Sequence, residues 1–208
     1  MADNTLEVRS AAVGSWQENC YVLYDAATNQ SIVFDPGAEP KKIQTLIGDS
    51  TVTDILLTHA HSDHIGAVEA IRAATGAPVS IHRAELPALG SIHHDTLIDD
   101  GDEIQWGGHT IRAVHTPGHT PGMITFIVDN QHAIVGDTIF GGGPGRTGSA
   151  EDFRTTLATL RDVILSWPDT LVCYPGHGDS FRLADVRDRI QQFVAKEHPA
   201  NFQGDAEW

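Results

Sequence analysis

Three imidazoles and a carboxylate fall within six consecutive residues of this 208-residue chain, in Thr58-His59-Ala60-His61-Ser62-Asp63-His64. Packing does not explain that density, because His and Asp side chains cost free energy to bury unless they are paired or metal-bound. Imidazole with carboxylate is the ligand chemistry of zinc and of related transition metals. Three later motifs have the same character: Thr116-Pro117-Gly118-His119-Thr120-Pro121-Gly122, Gly136-Asp137-Thr138 and Pro175-Gly176-His177-Gly178. Each follows an apolar run, has a glycine for a tight turn, and presents one candidate ligand. Together His59, His61, Asp63, His64, His119, Asp137 and His177 give seven ligands. With one carboxylate shared, two divalent metals each receive four protein ligands. A position is then left for solvent, as catalytic metal sites require. The other seven histidines (82, 93, 94, 109, 115, 132 and 198) fit no such pattern and read as surface or hydrogen-bonded residues.

The elements that must carry these motifs are legible in the apolar patterning. Ile55-Leu56-Leu57 reads as the end of a buried strand over 53–57, so the first cluster sits at a strand end, where open α/β sheets place their sites. Strands are predicted over 6–13, 20–24, 31–34, 78–81, 103–106, 110–115, 123–128, 132–135 and 170–174. Helices are predicted over 40–47, 65–74, 151–166 and 183–195 from apolar residues at helical spacing. Asp35-Pro36-Gly37 reads as a turn, 141–145 as a loop, and 90–101 as irregular. Each half has an early strand region, then a strand ending in acid or His chemistry, then a helix. That repetition hints at internal pseudo-symmetry, although no exact repeat is present. With no Ser- or Pro-rich linker, residues 1–208 are expected to form one domain.

Composition bounds the function. Lys plus Arg is 13 and Asp plus Glu is 28, a formal charge of 13 − 28 = −15. That balance disfavours nucleic acid as a partner. The N-terminus shows no leader pattern and no stretch is apolar enough to span a membrane, so a cytoplasmic setting is expected. Cys20 and Cys173 lie in strand-like runs and read as buried free thiols. There is no Gly-x-Ser-x-Gly elbow and no phosphate-binding P-loop. The composition does not address the oligomeric state.

Thr-His-x-His-x-Asp-His, followed in order by the three later motifs, resembles the metallo-β-lactamase superfamily, most closely its glyoxalase-II-like hydrolases. The resemblance implies an α/β fold, a four-layer αββα sandwich. Carried over residue by residue, it implies that His59, His61 and His119 bind a first metal. Asp63, His64 and His177 then bind a second, and Asp137 bridges them. Zinc is the first expectation, and iron or manganese would be served by the same ligands. Ala67 stands where glyoxalase II proteins often have glycine, a departure that leaves every ligand in place.

The implied activity is thioester hydrolysis, with a small-molecule substrate such as a hydroxyacylglutathione. A hydroxide generated on the metals would attack the carbonyl, oriented by Asp63. Arg146, in Gly-Gly-Gly-Pro-Gly-Arg (141–146), stands where a basic residue of that family binds a glutathione carboxylate. The competing reading of that segment is a plain turn with its arginine in water. The C-terminal helical domain of long-form glyoxalase II has no counterpart here, which points to a short form or to another thioester or ester. Persulfide dioxygenases, with one iron on the same frame, are also similar. Gly145-Arg146-Thr147-Gly148 matches three of four positions of their Gly-Arg-Thr-Asp pattern. Lactonases share nearly the whole ligand set. A non-enzymatic binding module would show degenerate ligands, and none is missing.

Overall fold

The computed structural model describes residues 6–208. The N-terminal residues 1–5, part of the segment without a leader pattern, lie outside the described residues. The chain divides into two compact units, residues 1–98 with 105–109, and residues 99–104 with 110–208.

The first unit is built on a six-stranded sheet in sequence order. Its strands are β1 (Leu6–Val13), β2 (Glu18–Asp25), β3 (Gln30–Phe34), β4 (Thr51–Leu56), β5 (Val79–His82) and β6 (Thr96–Ile98). β1 to β3 pair antiparallel and β3 to β6 run parallel. Parallel neighbours need crossovers, supplied by α1 (Pro40–Ile47) and by α2 (Ser62–Ile65) with α3 (Val68–Thr75). α1 buries Ile43 and Ile47 and α3 buries Val68 and Ile71. These pack with Val22, Val33, Ile55, Leu57, Val79 and Ile81 in one apolar cluster. The register Phe34↔Leu56 brings the ends of β3 and β4 level. Asp35 and Thr58-His59, just beyond those ends, therefore lie side by side. Leu57 is fully buried, although β4 ends one residue before it.

The second sheet, in the second unit except for residues 105–109, has the order β12-β11-β10-β9-β8-β7. These strands are β7 (Glu103–Trp106), β8 (His109–His115), β9 (Ile124–Val128), β10 (His132–Gly136), β11 (Val172–Pro175) and β12 (Phe181–Arg182). β8, β9 and β10 pair antiparallel, β10 and β11 parallel, and β11 and β12 antiparallel. α5 (Ala150–Asp162) makes the crossover between the parallel pair, and α6 (Leu183–Ala195) follows β12. Ser149 caps α5 by accepting from the Asp152 amide at 3.1 Å. Phe153 and Leu160 of α5 join Leu183, Val186, Ile190 and Phe193 of α6 in a second apolar cluster.

Five elements differ from the sequence expectation by more than an end residue or two. The helix predicted over 65–74 is interrupted at Gly66-Ala67: Ile65 closes α2, which also carries Asp63 and His64, and α3 follows. The helix predicted to Ser166 ends at Asp162 and gives way to a 3₁₀ turn, Ile164–Ser166. The edge strands β6 and β12 have three and two residues, too short to show alternation of their own. A further short helix, α4 (Leu86–Leu89), follows β5 through a 3₁₀ turn. No helix among the described residues is long and apolar enough to cross a membrane.

Candidate metal centre

The first unit positions His59, His61, Asp63 and His64. His59 is buried at the end of β4, His61 is exposed at the N-cap of α2, and Asp63 and His64 lie within α2. The Asp35-Pro36-Gly37 turn packs tightly against α2. A Cβ on Gly37 would stand 1.6 Å from the Asp63 carbonyl oxygen, so no other residue fits there without moving the helix.

Three buried carboxylates support this loop, and the sequence reading assigned none of them a role. Asp35 accepts from the Thr58 amide at 2.8 Å and from the Thr58 hydroxyl at 2.6 Å. It also lies 3.1 Å from His64 Nδ1. Glu85 accepts from the Ala60 amide at 2.9 Å. Glu18 lies 3.7 Å from His64 Nδ1. Asp35, Glu85 and Glu18 are 2%, 1% and 0% exposed, so their charge calls for nearby cationic compensation. The signal that could have found Asp35 was present, since it follows the apolar run Ser31–Phe34 just as the ligand motifs follow theirs.

These partners fix the imidazole tautomers. A carboxylate only accepts, so His64 Nδ1 carries the proton and donates to Asp35. Thr58 spends its single hydroxyl proton on Asp35, so its Oγ1, 3.0 Å from His59 Nδ1, accepts from that ring. In both residues Nε2 is then the atom with the ligating lone pair. His59 Nε2 stands 3.1 Å from His61 Nδ1. Two nitrogens about 2.0–2.1 Å from one tetrahedral zinc lie about 3.3 Å apart. The donor set and its spacing fit a divalent metal.

The second unit positions His119, Asp137 and His177, each just beyond the end of β8, β10 or β11. Gly118 and Gly136 have positive φ, as their turns demand, while Gly176 does not. The Gly176 amide donates to the Gly136 carbonyl at 2.9 Å, tying two of these strand ends together. Asp137 Oδ2 lies 3.5 Å from His119 Nε2 and 3.7 Å from His177 Nε2. One carboxylate oxygen thus faces two imidazoles. His119 Nδ1 lies 2.7 Å from the Arg146 carbonyl oxygen. A carbonyl cannot donate, so here too Nδ1 carries the proton and Nε2 the lone pair.

Arg146 itself is exposed, its Nε 3.7 Å from Asp205 Oδ2. The loop bearing it is pressed onto the ligand residues: a Cβ on Gly145 would stand 1.9 Å from the Asp137 carbonyl oxygen and 3.0 Å from His119 Cβ.

Four of the other histidines have hydrogen-bond partners away from these residues. His93 pairs with Asp95 at 3.1 Å, His115 with the Pro121 carbonyl at 2.9 Å, His132 with Tyr174 at 3.0 Å and His198 with the Phe193 carbonyl at 2.8 Å. Cys20 and Cys173 are buried free thiols. Burial pushes Cys173 up to about 12. Burial, then the charges of Glu18 and Asp35, raises Cys20.

Known proteins with this sequence pattern and fold give a consistent picture. The family model described as Metallo-beta-lactamase superfamily matches residues 13–177. Probable metallo-hydrolase YqgX of Bacillus subtilis is 34% identical over 201 residues, covering 87% of this chain and 94% of that protein. Hydroxyacylglutathione hydrolase GloC of Haemophilus influenzae is 29% identical over 194 residues, covering 83% and 91%. The crystal structure of BLEG-1 B3 metallo-beta-lactamase superimposes with a TM-score of 0.79 at 30% identity, covering 88% of this chain and 97% of that one. The superfamily uses divalent metals, zinc or iron. Two mixed sheets with their helices are the α/β sandwich architecture expected from the motifs. By matched length, motif order and fold, the chain belongs to the metallo-beta-lactamase superfamily.

Proposed function

We propose that the two units act as one domain and that their ligands join in a single site for two divalent metals, zinc first among them. His59, His61 and His119 would hold one metal, Asp63, His64 and His177 the other, and Asp137 would bridge. The observation that carries this reading is the tautomer control. His59, His64 and His119 each spend Nδ1 on an oxygen partner and direct their lone pair through Nε2. Such outer hydrogen bonds orient metal-ligating imidazoles and raise their basicity.

The activity proposed is hydrolysis of a small-molecule thioester, a hydroxyacylglutathione being the model substrate. Bound divalent metals would lower the pKa of water from 15.7 towards ~7 and polarise a carbonyl oxygen. The chain's own residues do the rest. Asp63, part-exposed in the first turn of α2, orients the attacking hydroxide. Attack of the hydroxide at the acyl carbon breaks the carbon–sulfur bond, and the departing sulfur takes the hydroxide's proton, so that a carboxylate, a thiol and one proton leave for each water consumed. Arg146, exposed on its loop, receives an anionic group of the thiol moiety through its fork of donors. The name of the GloC relative supports a glutathione-linked substrate. The net charge of −15 supports a small molecule over nucleic acid, and a cytoplasmic setting accords with two unpaired thiols.

The test is turnover of S-D-lactoylglutathione by protein loaded with zinc and, separately, with iron, followed by loss of thioester absorbance. The expected result is turnover that disappears in His59→Ala. Metal-loaded protein that leaves the thioester intact would overturn the reading. Oxygen uptake with glutathione persulfide, or lactone hydrolysis, would then mark the iron dioxygenase or the lactonase.

A further inference from the structure

Residues 204–208, an acidic stretch with a terminal tryptophan, are docked against the loop that carries Arg146. Both ends of the loop are held. At one end Gly204 and Thr147 exchange backbone hydrogen bonds of 2.9 and 3.1 Å. At the other the Trp208 amide donates to the Gly142 carbonyl at 3.1 Å, and Trp208 Nε1 donates to the Gly141 carbonyl at 3.3 Å. Between them the two backbones are in close approach, since a Cβ on Gly143 would stand 2.1 Å from the Ala206 carbonyl oxygen. The docked segment is itself anchored. Phe202, Ala206 and Trp208 pack on the second apolar cluster, with the Trp208 ring 5.9 Å from Phe193 and Phe202 4.4 Å from Phe153.

The clamped loop reaches the candidate chemistry in two places. Its Arg146 carbonyl receives the His119 Nδ1 proton at 2.7 Å, and its Arg146 guanidinium is met by the Asp205 carboxylate at 3.7 Å. We propose that residues 204–208 are a positioning strap: by holding the 141–147 loop they set the His119 ring for metal binding, and through Asp205 they tune Arg146 for an anionic substrate group. The Arg146 half rests on the substrate reading above, whereas the His119 half needs only a metal. A strap of this kind makes the metal's outer shell depend on residues some 60–90 positions further along the chain, by subtraction of their numbers.

The Arg146–Asp205 pair is largely exposed, 67% and 87% at the two side chains, so it is weak and exchangeable. Asp205 then acts as an internal competitor for the guanidinium. A substrate carboxylate that displaces it exchanges one weak ion pair for another and gains the difference in fit. Removing Asp205 therefore strengthens binding of an anionic substrate instead of weakening it, the opposite of what a merely structural residue does.

The experiment compares the full chain with a chain stopped after Gln203, Trp208→Ala, Trp208→Phe, Gly143→Ala and Asp205→Asn. Each is measured for zinc affinity by chelator competition, for thermal unfolding, and for kcat and KM on S-D-lactoylglutathione. The stopped chain, Trp208→Ala and Gly143→Ala should lose zinc affinity by about 10–100-fold, the range for outer-shell partners of a ligating imidazole. Trp208→Phe, which keeps the ring contact and the backbone donor, should restore most of it. Asp205→Asn should leave zinc affinity unchanged and lower KM by about two- to fivefold, the range for an exposed ion pair. Wild-type zinc affinity in both Trp208→Ala and Gly143→Ala would overturn the strap, as would affinity falling only in step with thermal stability with no rescue by Trp208→Phe. If the wild type cleaves no thioester, the substrate reading fails, and the zinc titrations still decide the strap.

Discussion

Asp35 offers the sharpest test of how the first unit controls its imidazoles. Asn at this position keeps the shape of the side chain and can still accept from the Thr58 amide through Oδ1. Where Asp35 Oδ2 stands, however, it presents an N–H to His64 Nδ1, 3.1 Å away, which is itself a donor. Two donors cannot face each other, so His64 must move its proton to Nε2 and lose the lone pair there, or turn away. The affinity of the second metal should fall by about 10–100-fold. The same Oδ2 also accepts from the Thr58 hydroxyl at 2.6 Å, a bond that must reverse, and the metal-free fold loses at least the charged hydrogen bond from His64, about 1.5–3 kcal/mol. For a chain of this size that corresponds to a Tm lower by about 3–12 °C. Chelator competition with zinc gives the first quantity and calorimetry of the metal-free protein the second. If Asp35→Asn binds zinc as the wild type does, the tautomer argument is wrong, however unstable the variant proves.

Other perturbations separate the remaining roles. Arg146→Ala should raise KM for an anionic thioester with kcat little changed, because the contact is made equally in ground and transition states; a drop in kcat alone would argue against it. Stripping metal with a chelator should lower Tm, and re-addition of zinc should restore it, since a ligand that binds only the folded state stabilises it. The thiols should resist alkylation until unfolding, given that burial raises both. Cys173 also predicts an alkaline weakness. Its folded value of about 12 lies above its ordinary value of 9.0, so between those pH values the unfolded chain loses a proton that the folded chain keeps. Stability falls as pH rises through that window and is unaffected by this group below it. Denaturant melts of the wild type and Cys173→Ala from pH 8 to 11 should show a shallower decline in the variant.

Where sequence alone sufficed, the reason is local. β1, α1 and α6 have the predicted bounds because their patterning lies within the segment itself. The seven candidate ligands were visible because His and Asp at strand ends are an unusual expenditure of polar residues. Glu18 and Glu85 were not, since they are scattered along the chain and acquire meaning only when β-sheet register and the turn after β5 bring them to the Thr58–His64 loop. The break between α2 and α3 was hidden for a similar reason. Ile65, Val68 and Ile71 keep helical spacing across it, while the cause is a tertiary contact, Gly66 lying against the Gly37 carbonyl. α5 stops at Asp162, before the β-branched pair Val163-Ile164 and Pro168, a termination that apolar spacing alone did not register. The docking of Trp208 was likewise unreadable, because its partners are the carbonyls of a glycine loop that carries no pattern of its own.

The most direct test of the account is the metal content of the purified, zinc-reconstituted chain, with activity measured on the same samples, for the wild type, His61→Ala and His177→Ala. The account predicts two zinc ions per chain in the wild type, one or fewer in each variant, and thioester turnover lost in both variants. A wild type that saturates at one ion, or a His177→Ala variant that keeps both ions and full activity, would contradict a shared two-metal site.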